Sequence, residues 1–241
     1  MKRRTLDIAF SIGGIVFSVL LLVVGLILNN QANFAKTYVH DQLVAQKIYF
    51  QPTKTLDAEM SKVTCLVNYG QGGAKENGGA QALDTGKKAE CYSNEYIGAH
   101  MAAAAKGAGF EGATFATLGK YVLPGQGGAD SVSLVDQVQA AKDSGADQAT
   151  IDGLQTKLDA VKGLRGTLQT GETLRGLLLT TYGFSIFGER AGQAAWVCFG
   201  AALVLLILSI AGLVHAFASK KAEDVILVAE HHEPTKEPVA V

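Results

Sequence analysis

Two uninterrupted apolar runs, Ile8 to Leu28 and roughly Ala194 to Phe217, stand near the two ends of this 241-residue chain. At about 1.5 Å per residue the first reaches about 31 Å as a helix, close to the roughly 30 Å hydrocarbon core of a bilayer. A soluble helix seldom needs so long an unbroken apolar stretch, so each run is expected to cross a membrane once.

Orientation follows from the cations. Lys2, Arg3 and Arg4 precede the first run, and Lys220 and Lys221 follow the second. Lys and Arg beside a span are retained in the cytoplasm. Both termini are therefore expected inside the plasma membrane, with the intervening chain exported. A cleavable signal peptide is the competing reading, but its apolar core should be shorter and end at a small-x-small site. This run instead ends in Leu28-Asn29-Asn30-Gln31. The expected organisation is a cytoplasmic N-terminus (1–7), transmembrane helix 1 (8–28), an extracytoplasmic helical domain (29–190), transmembrane helix 2 (191–218) and a disordered cytoplasmic tail (219–241).

The net charge of -1 averages over these compartments. Residues 31–190 hold fifteen Lys/Arg and sixteen Asp/Glu, so the exported part is nearly neutral. It lacks the basic field that binds nucleic acid, which excludes that class of partner. Its length suits one domain with a modest core.

Cys65 and Cys91 lie in the exported part and Cys198 in the second apolar run. In an oxidising compartment a Cys65–Cys91 disulfide is the economical inference, two unpaired thiols being the alternative. It would close a 26-residue excursion through Asn68-Tyr69-Gly70-Gln71-Gly72-Gly73 and Asn77-Gly78-Gly79, a segment read as poor in hydrophobic content. By the loop-entropy model such a link stabilises by roughly 3 kcal/mol. Cys198, among Trp196, Val197 and Phe199, reads as a small buried hydrophobe.

The exported part reads as mainly helical. The first helix is expected to continue past Leu28, with Phe34, Ala35, Tyr38, Val39 and Leu43 forming one apolar stripe. Lys62 to Val67 reads as a short strand or an extended connector. Asp84 or Thr85 can cap a helix from Lys87 to about Lys106. The Gly/Ala/Phe stretch from Gly107 to Gly128 is too punctuated for a long element. Val132, Val135 and Val138 then mark a short amphipathic segment, broken at Ser144-Gly145. Ile151, Leu154, Leu158, Val161 and Leu164 mark another, with Asp147 or Thr150 as its cap. From Thr167 into the second span no proline intervenes, so one long helix is expected there, weakened by five glycines at roughly 1 kcal/mol each against Ala. The fold class is thus mainly α: two antiparallel transmembrane helices with a helical, disulfide-linked extracytoplasmic domain between them.

Ser11, Gly14, Ser18 and Gly25 lie close to one helical face, and Gly200, Ser209 and Gly212 give the other span small positions. In lipid, small residues let helix backbones approach. The spans are expected to pack on each other, contact with a partner subunit being the alternative. Outside the membrane, Tyr92, Tyr96, His100 and Phe110 are the residues from which a ligand or partner face would be built.

Catalytic signals are sparse. No GxSxG elbow and no phosphate loop occurs. His40-Asp41 and Glu95 with His100 come nearest to metal-ligand spacing without matching a zinc motif, so no metal and no cofactor is expected. Glu172, Arg175, Glu189 and Arg190 read as helix-surface ion pairs or a partner contact. His231 and His232 fall in a polar tail.

The stretches Met1 to Ile8, Asn33 to Leu43, Tyr96-Ile97-Gly98-Ala99-His100 and Gly171 to Phe184 resemble a family of uncharacterised actinobacterial two-pass membrane proteins. The resemblance covers most of the chain and is most specific at its ends. Members are often labelled aromatic ring-opening dioxygenases, and the resemblance implies that activity. It would call for an iron held by convergent histidines and a carboxylate, a constellation not written locally in this chain. No family active-site residue transfers.

Three classes of function follow, in this order: an accessory or structural protein of the cell envelope whose exported helices contact another membrane or envelope protein; an extracytoplasmic ligand-binding or sensor module; and a metal-dependent enzyme. The partners expected are the lipid bilayer and an envelope protein, with a homo-oligomer left open.

Overall fold

The computed structural model describes residues 3–126 and 132–218. The cations Lys2, Lys220 and Lys221, the histidines His231 and His232, and the tail 219–241 lie outside the described residues.

The architecture is mainly helical. In chain order the α-helices are α1 (Arg3–Ala45), α2 (Thr64–Tyr69), α3 (Gly86–Cys91), α4 (Gly98–Gly107), α5 (Gly119–Val122), α6 (Leu134–Asp143) and α7 (Gln148–Ala218). A π-helix, Tyr92–Ile97, joins α3 to α4 without a break. Among the described residues extended pairing is limited to one antiparallel bridge, Tyr49 with Ala82. Backbone packing divides the chain into two compact units, Met1–Phe34 with Gly188–Val241, and Ala35–Phe187.

The first unit contains the two membrane spans. Among the described residues α1 and α7 are the two helices long and apolar enough to cross a bilayer, and apolar side chains of both, such as Phe10, Val16, Leu203 and Ile207, are largely exposed, as a lipid-facing surface requires. The chain is a two-pass plasma-membrane protein with an extracytoplasmic, disulfide-stabilised helical loop. At the cytoplasmic end the Arg4 guanidinium lies 5.0 Å from the Phe217 ring centre.

The second unit has two cores. The first gathers Val39 and Leu43 of α1, Phe50, Met60, Leu66, Ala80, Leu83, Ala89, Cys91 and Leu178 of α7. The second gathers Leu118 and Val122 of α5, Val138 of α6, and Leu158, Val161, Leu164 and Leu168 of α7. The 3–4 spacing of that last set is the amphipathic pattern visible in the sequence.

The Cys65–Cys91 disulfide joins α2 to the end of α3. The segment it closes does more than expected: Leu66, Ala80, Leu83 and Ala89 are all buried. Their burial is organised by backbone bonds, from Gln81 N–H to Tyr69 O at 2.8 Å, Leu83 N–H to Ile48 O at 2.9 Å and Gly73 N–H to Gly79 O at 2.7 Å. At Gly73 a Cβ would overlap the Ala80 carbonyl, so this close crossing of backbones requires glycine.

Lys62 to Val67 is neither strand nor extended connector. Met60–Lys62 forms a 3-10 turn and α2 begins at Thr64, because Leu66 faces the first core and Cys65 is tied to Cys91. Thr85 rather than Asp84 caps α3, its hydroxyl accepting from Lys88 N–H at 3.3 Å. Asp147 caps α7: its carboxylate accepts from the Thr150 N–H at 2.9 Å and then from its hydroxyl, and the two bonds hold its pKa below the usual value. The two helical segments expected from Ile151 and from Thr167 are one helix, since packing of Leu164, Leu168 and Gly171 carries it through its glycines.

Candidate functional site

Along the π-helix and α4, residues spaced by four stack into a ladder. Phe50 meets Tyr92 at 5.4 Å between ring centres, Tyr92 stacks on Tyr96 at 4.7 Å, and Tyr96 meets His100 at 4.4 Å. The ladder runs from the first core to the surface. At its outer end Tyr96 and His100, with Ile97, Met101, Thr167, Thr170, Gly171 and Leu174, line an open groove of about 400 Å³. Among the described residues no Asp, Glu, Lys or Arg lines it.

The His100 Nδ1 lies 2.9 Å from the Tyr96 carbonyl oxygen. A carbonyl only accepts, so Nδ1 carries a proton, and Nε2 faces away from this bond. The hydroxyls of Thr170 and Thr167 donate to the carbonyls of Gly166 (3.1 Å) and Gly163 (3.2 Å). Gly171 is buried because the Met101 side chain packs onto it: a Cβ there would lie 2.5 Å from Met101 Sδ.

Of the four aromatic and histidine positions singled out in the sequence, Tyr96 and His100 line the groove, while Tyr92 packs against the first core. Phe110 packs against the second core, 5.3 Å from the Tyr121 ring. The periodicity that groups them does not reveal that the exported part has two cores.

Burial, and then the neighbouring Tyr96, push the Tyr92 phenol up to about 12 from 10.0. A phenol raised in the folded state keeps its full contribution below the unfolded pKa of about 10 and loses it as pH rises from there to about 12. Comparison of the intact chain with Tyr92→Phe by ultraviolet phenolate absorbance is expected to show a missing transition centred near pH 12. A missing transition near pH 10 would place Tyr92 in water.

The small residues of the spans meet in one seam. A Cβ on Gly14 would overlap Ser209 Oγ, and a Cβ on Gly212 would lie 2.5 Å from Ser11 Oγ. Each helix thus places its serine on the other's glycine. Further out, Ser18 Oγ donates to the Ala202 carbonyl at 2.9 Å, and Gly25 receives the Phe199 ring. Gly200 has open space around it and takes no part. At its cytoplasmic end the seam borders a cleft lined by Asp7, Ser11, Ser209 and His215, among others.

The expected charge cluster resolves differently. Glu172 accepts from Phe115 N–H at 2.9 Å, Arg175 Nη2 donates to Asn94 at 3.4 Å, and Arg190 donates to Gln193 at 3.1 Å. Among the described residues none of Glu172, Arg175, Glu189 and Arg190 forms an ion pair. His40 Nδ1 lies 3.2 Å from the Asp84 carbonyl oxygen. Among the described residues no group of three or more His, Cys, Asp and Glu side chains is placed to hold a metal ion.

Compared with known proteins, the chain matches no family model, no curated protein and no solved structure.

Proposed function

We propose that the chain is a membrane-anchored accessory or structural protein of the cell envelope, its extracytoplasmic helical domain making contacts with another envelope protein. The boundaries belonging to this reading are an exported segment of residues 29–190, spans at 8–28 and 191–218, and cytoplasmic segments at 1–7 and 219–241. The observation that carries it is on α7 within the exported unit. No Asp, Glu, Lys or Arg occurs from Gly176 to Gly188, and Leu177 and Phe187 are 62% and 77% exposed. Leu174 adds a further half-exposed apolar side chain. Apolar side chains exposed along a helix outside the hydrocarbon core favour a protein partner.

Purification in mild detergent from the native membrane, with mass spectrometry of the co-eluting proteins, tests this. A stoichiometric partner is expected with the natural chain and is lost with Leu177→Glu. Surface substitution leaves stability within about 0.5 kcal/mol, so both chains elute folded. A natural chain that elutes alone, or a partner indifferent to Leu177→Glu, overturns the reading.

The groove beside Tyr96 and His100 favours a second reading, an extracytoplasmic ligand-binding module for a small uncharged ligand. The family resemblance with its ring-opening label is a separate proposal that calls for iron. Metal analysis of the same purified peak tests it.

A further inference from the structure

We propose that Arg175, held by α7 against the π-helix, forms with Asn94 a binding site for a carboxylate. Arg175 is half-buried, and its Nε is fully enclosed with no hydrogen-bond partner. Among the described residues its side chain makes one hydrogen bond, the long one from Nη2 to Asn94 Oδ1, 3.4 Å. No Asp or Glu oxygen lies within 4.0 Å of it among the described residues. A guanidinium has five N–H donors, and a partly desolvated cation is costly unless paired.

The contrast with its neighbours sharpens the point. Glu172, one turn before Arg175 and the acid best spaced to neutralise it, is engaged by the Phe115 N–H. Arg165, another arginine of α7 packed into this domain, has its Nε engaged: it donates to Phe115 O at 3.2 Å, and the Cζ lies 3.8 Å from the Phe115 ring centre. Glu172 and Arg165 thus hold one loop residue between them, whereas among the described residues the Arg175 Nε donates to no acceptor.

The surroundings hold Arg175 in place. Ser93, fully buried in the π-helix, donates its hydroxyl to the Arg175 carbonyl at 3.2 Å, and the next residue is Asn94. Arg175 Cζ is 3.9 Å from where a Cβ on Gly98 would stand, so the guanidinium lies against backbone that carries no side chain. The π-helix has the wider i→i+5 bonding, a local irregularity frequent at functional sites. It directs two consecutive residues, Ser93 and Asn94, to one arginine.

The ligand class follows from these groups. With Nε enclosed, an incoming group must meet the Nη1 and Nη2 edge, whose parallel donors match the two oxygens of a carboxylate. Among the described residues Ser93 and Asn94 hydrogen-bond no second cation, so the site offers one positive charge and suits a singly charged acid. That acid is either a free small molecule or an acidic side chain of an envelope partner.

Arginine labelling with phenylglyoxal, read by peptide mass spectrometry on the full chain, tests the site and separates the two sources. In purified protein in chloride, Arg175 is expected to react. Acetate at matched ionic strength is expected to slow it saturably, about tenfold when acetate stands tenfold above its dissociation constant, by mass action. Arg190 is the internal control and is expected to be unchanged. In native membranes without added acid, slow labelling of Arg175 assigns the carboxylate to a partner protein. Fast labelling there, slowed by acetate, assigns it to a free acid. The proposal is overturned if Arg175 fails to react in purified protein in chloride, or if acetate slows it no more than Arg190. Neither overturning result depends on a co-purifying partner, so the site and the accessory reading fail separately.

Discussion

Replacing Cys91 with alanine is expected to lower the stability of the exported domain by roughly 3 kcal/mol, a shift of roughly 10 °C in its unfolding midpoint. The cross-link spans 26 residues and is anchored at Cys91 inside the first core. Between its ends, Leu66, Ala80, Leu83 and Ala89 are buried in that core, positioned by a chain rich in glycine. Glycine gives the unfolded segment more freedom than other residues, so closing this loop removes more entropy from the unfolded state than closing one of average composition. The measurement is thermal unfolding by circular dichroism of the natural chain, oxidised and reduced, beside Cys91→Ala. Reduction and substitution should coincide. An unchanged midpoint would mean that the backbone bonds around Gln81 hold the segment without the cross-link.

The second large effect is expected in the membrane. Valine at both Gly14 and Gly212 should separate the two spans, since a Cβ at either position already meets a serine of the facing helix. Overpacking typically costs about 1–3 kcal/mol per site. A single alanine is a milder change, because a serine hydroxyl can rotate away. Trp196 is the only tryptophan and lies on α7, so its fluorescence reports the spans directly during titration with SDS. The decisive chain carries Gly14→Ser together with Ser209→Gly, which exchanges the two members of one contact. Each single change should lower the midpoint and the pair should restore it, a coupling read by a double-mutant cycle. Additive losses would show that these positions do not touch.

Which features were legible in the sequence depends on how local their causes are. A membrane span is a matter of composition over about 20 residues, so Ile8 to Leu28 announces itself. The Thr85 cap and the break at Ser144-Gly145 are equally local, Gly145 having a φ of +70° that favours glycine. α2 was hidden because a segment of six residues is helical only by virtue of what Leu66 and Cys65 attach to. The unity of α7 was hidden for the converse reason. Glycine propensities argue for breaks near Gly163, Gly166 and Gly171, and packing against Leu118, Val122 and Met101 overrides them. The candidate face was half legible: spacing by four placed Tyr92, Tyr96 and His100 in one ladder, yet nothing local told which member would be covered or that Phe110 serves another core. The isolation of Arg175 was illegible, since Glu172 stands at a spacing that promises an ion pair.

The serine–glycine seam also has a direction. Ser11-Ile12-Gly13-Gly14 and Ser209-Ile210-Ala211-Gly212 follow one pattern, and each serine rests on the opposite glycine only because the helices run in opposite directions. Two copies of α1 inserted with the same topology run in the same direction, so they cannot form this reciprocal contact with each other. The same holds for two copies of α7. The seam joins a first span to a second span of opposite direction, a pairing open equally to the two spans of one chain and to spans of neighbouring copies.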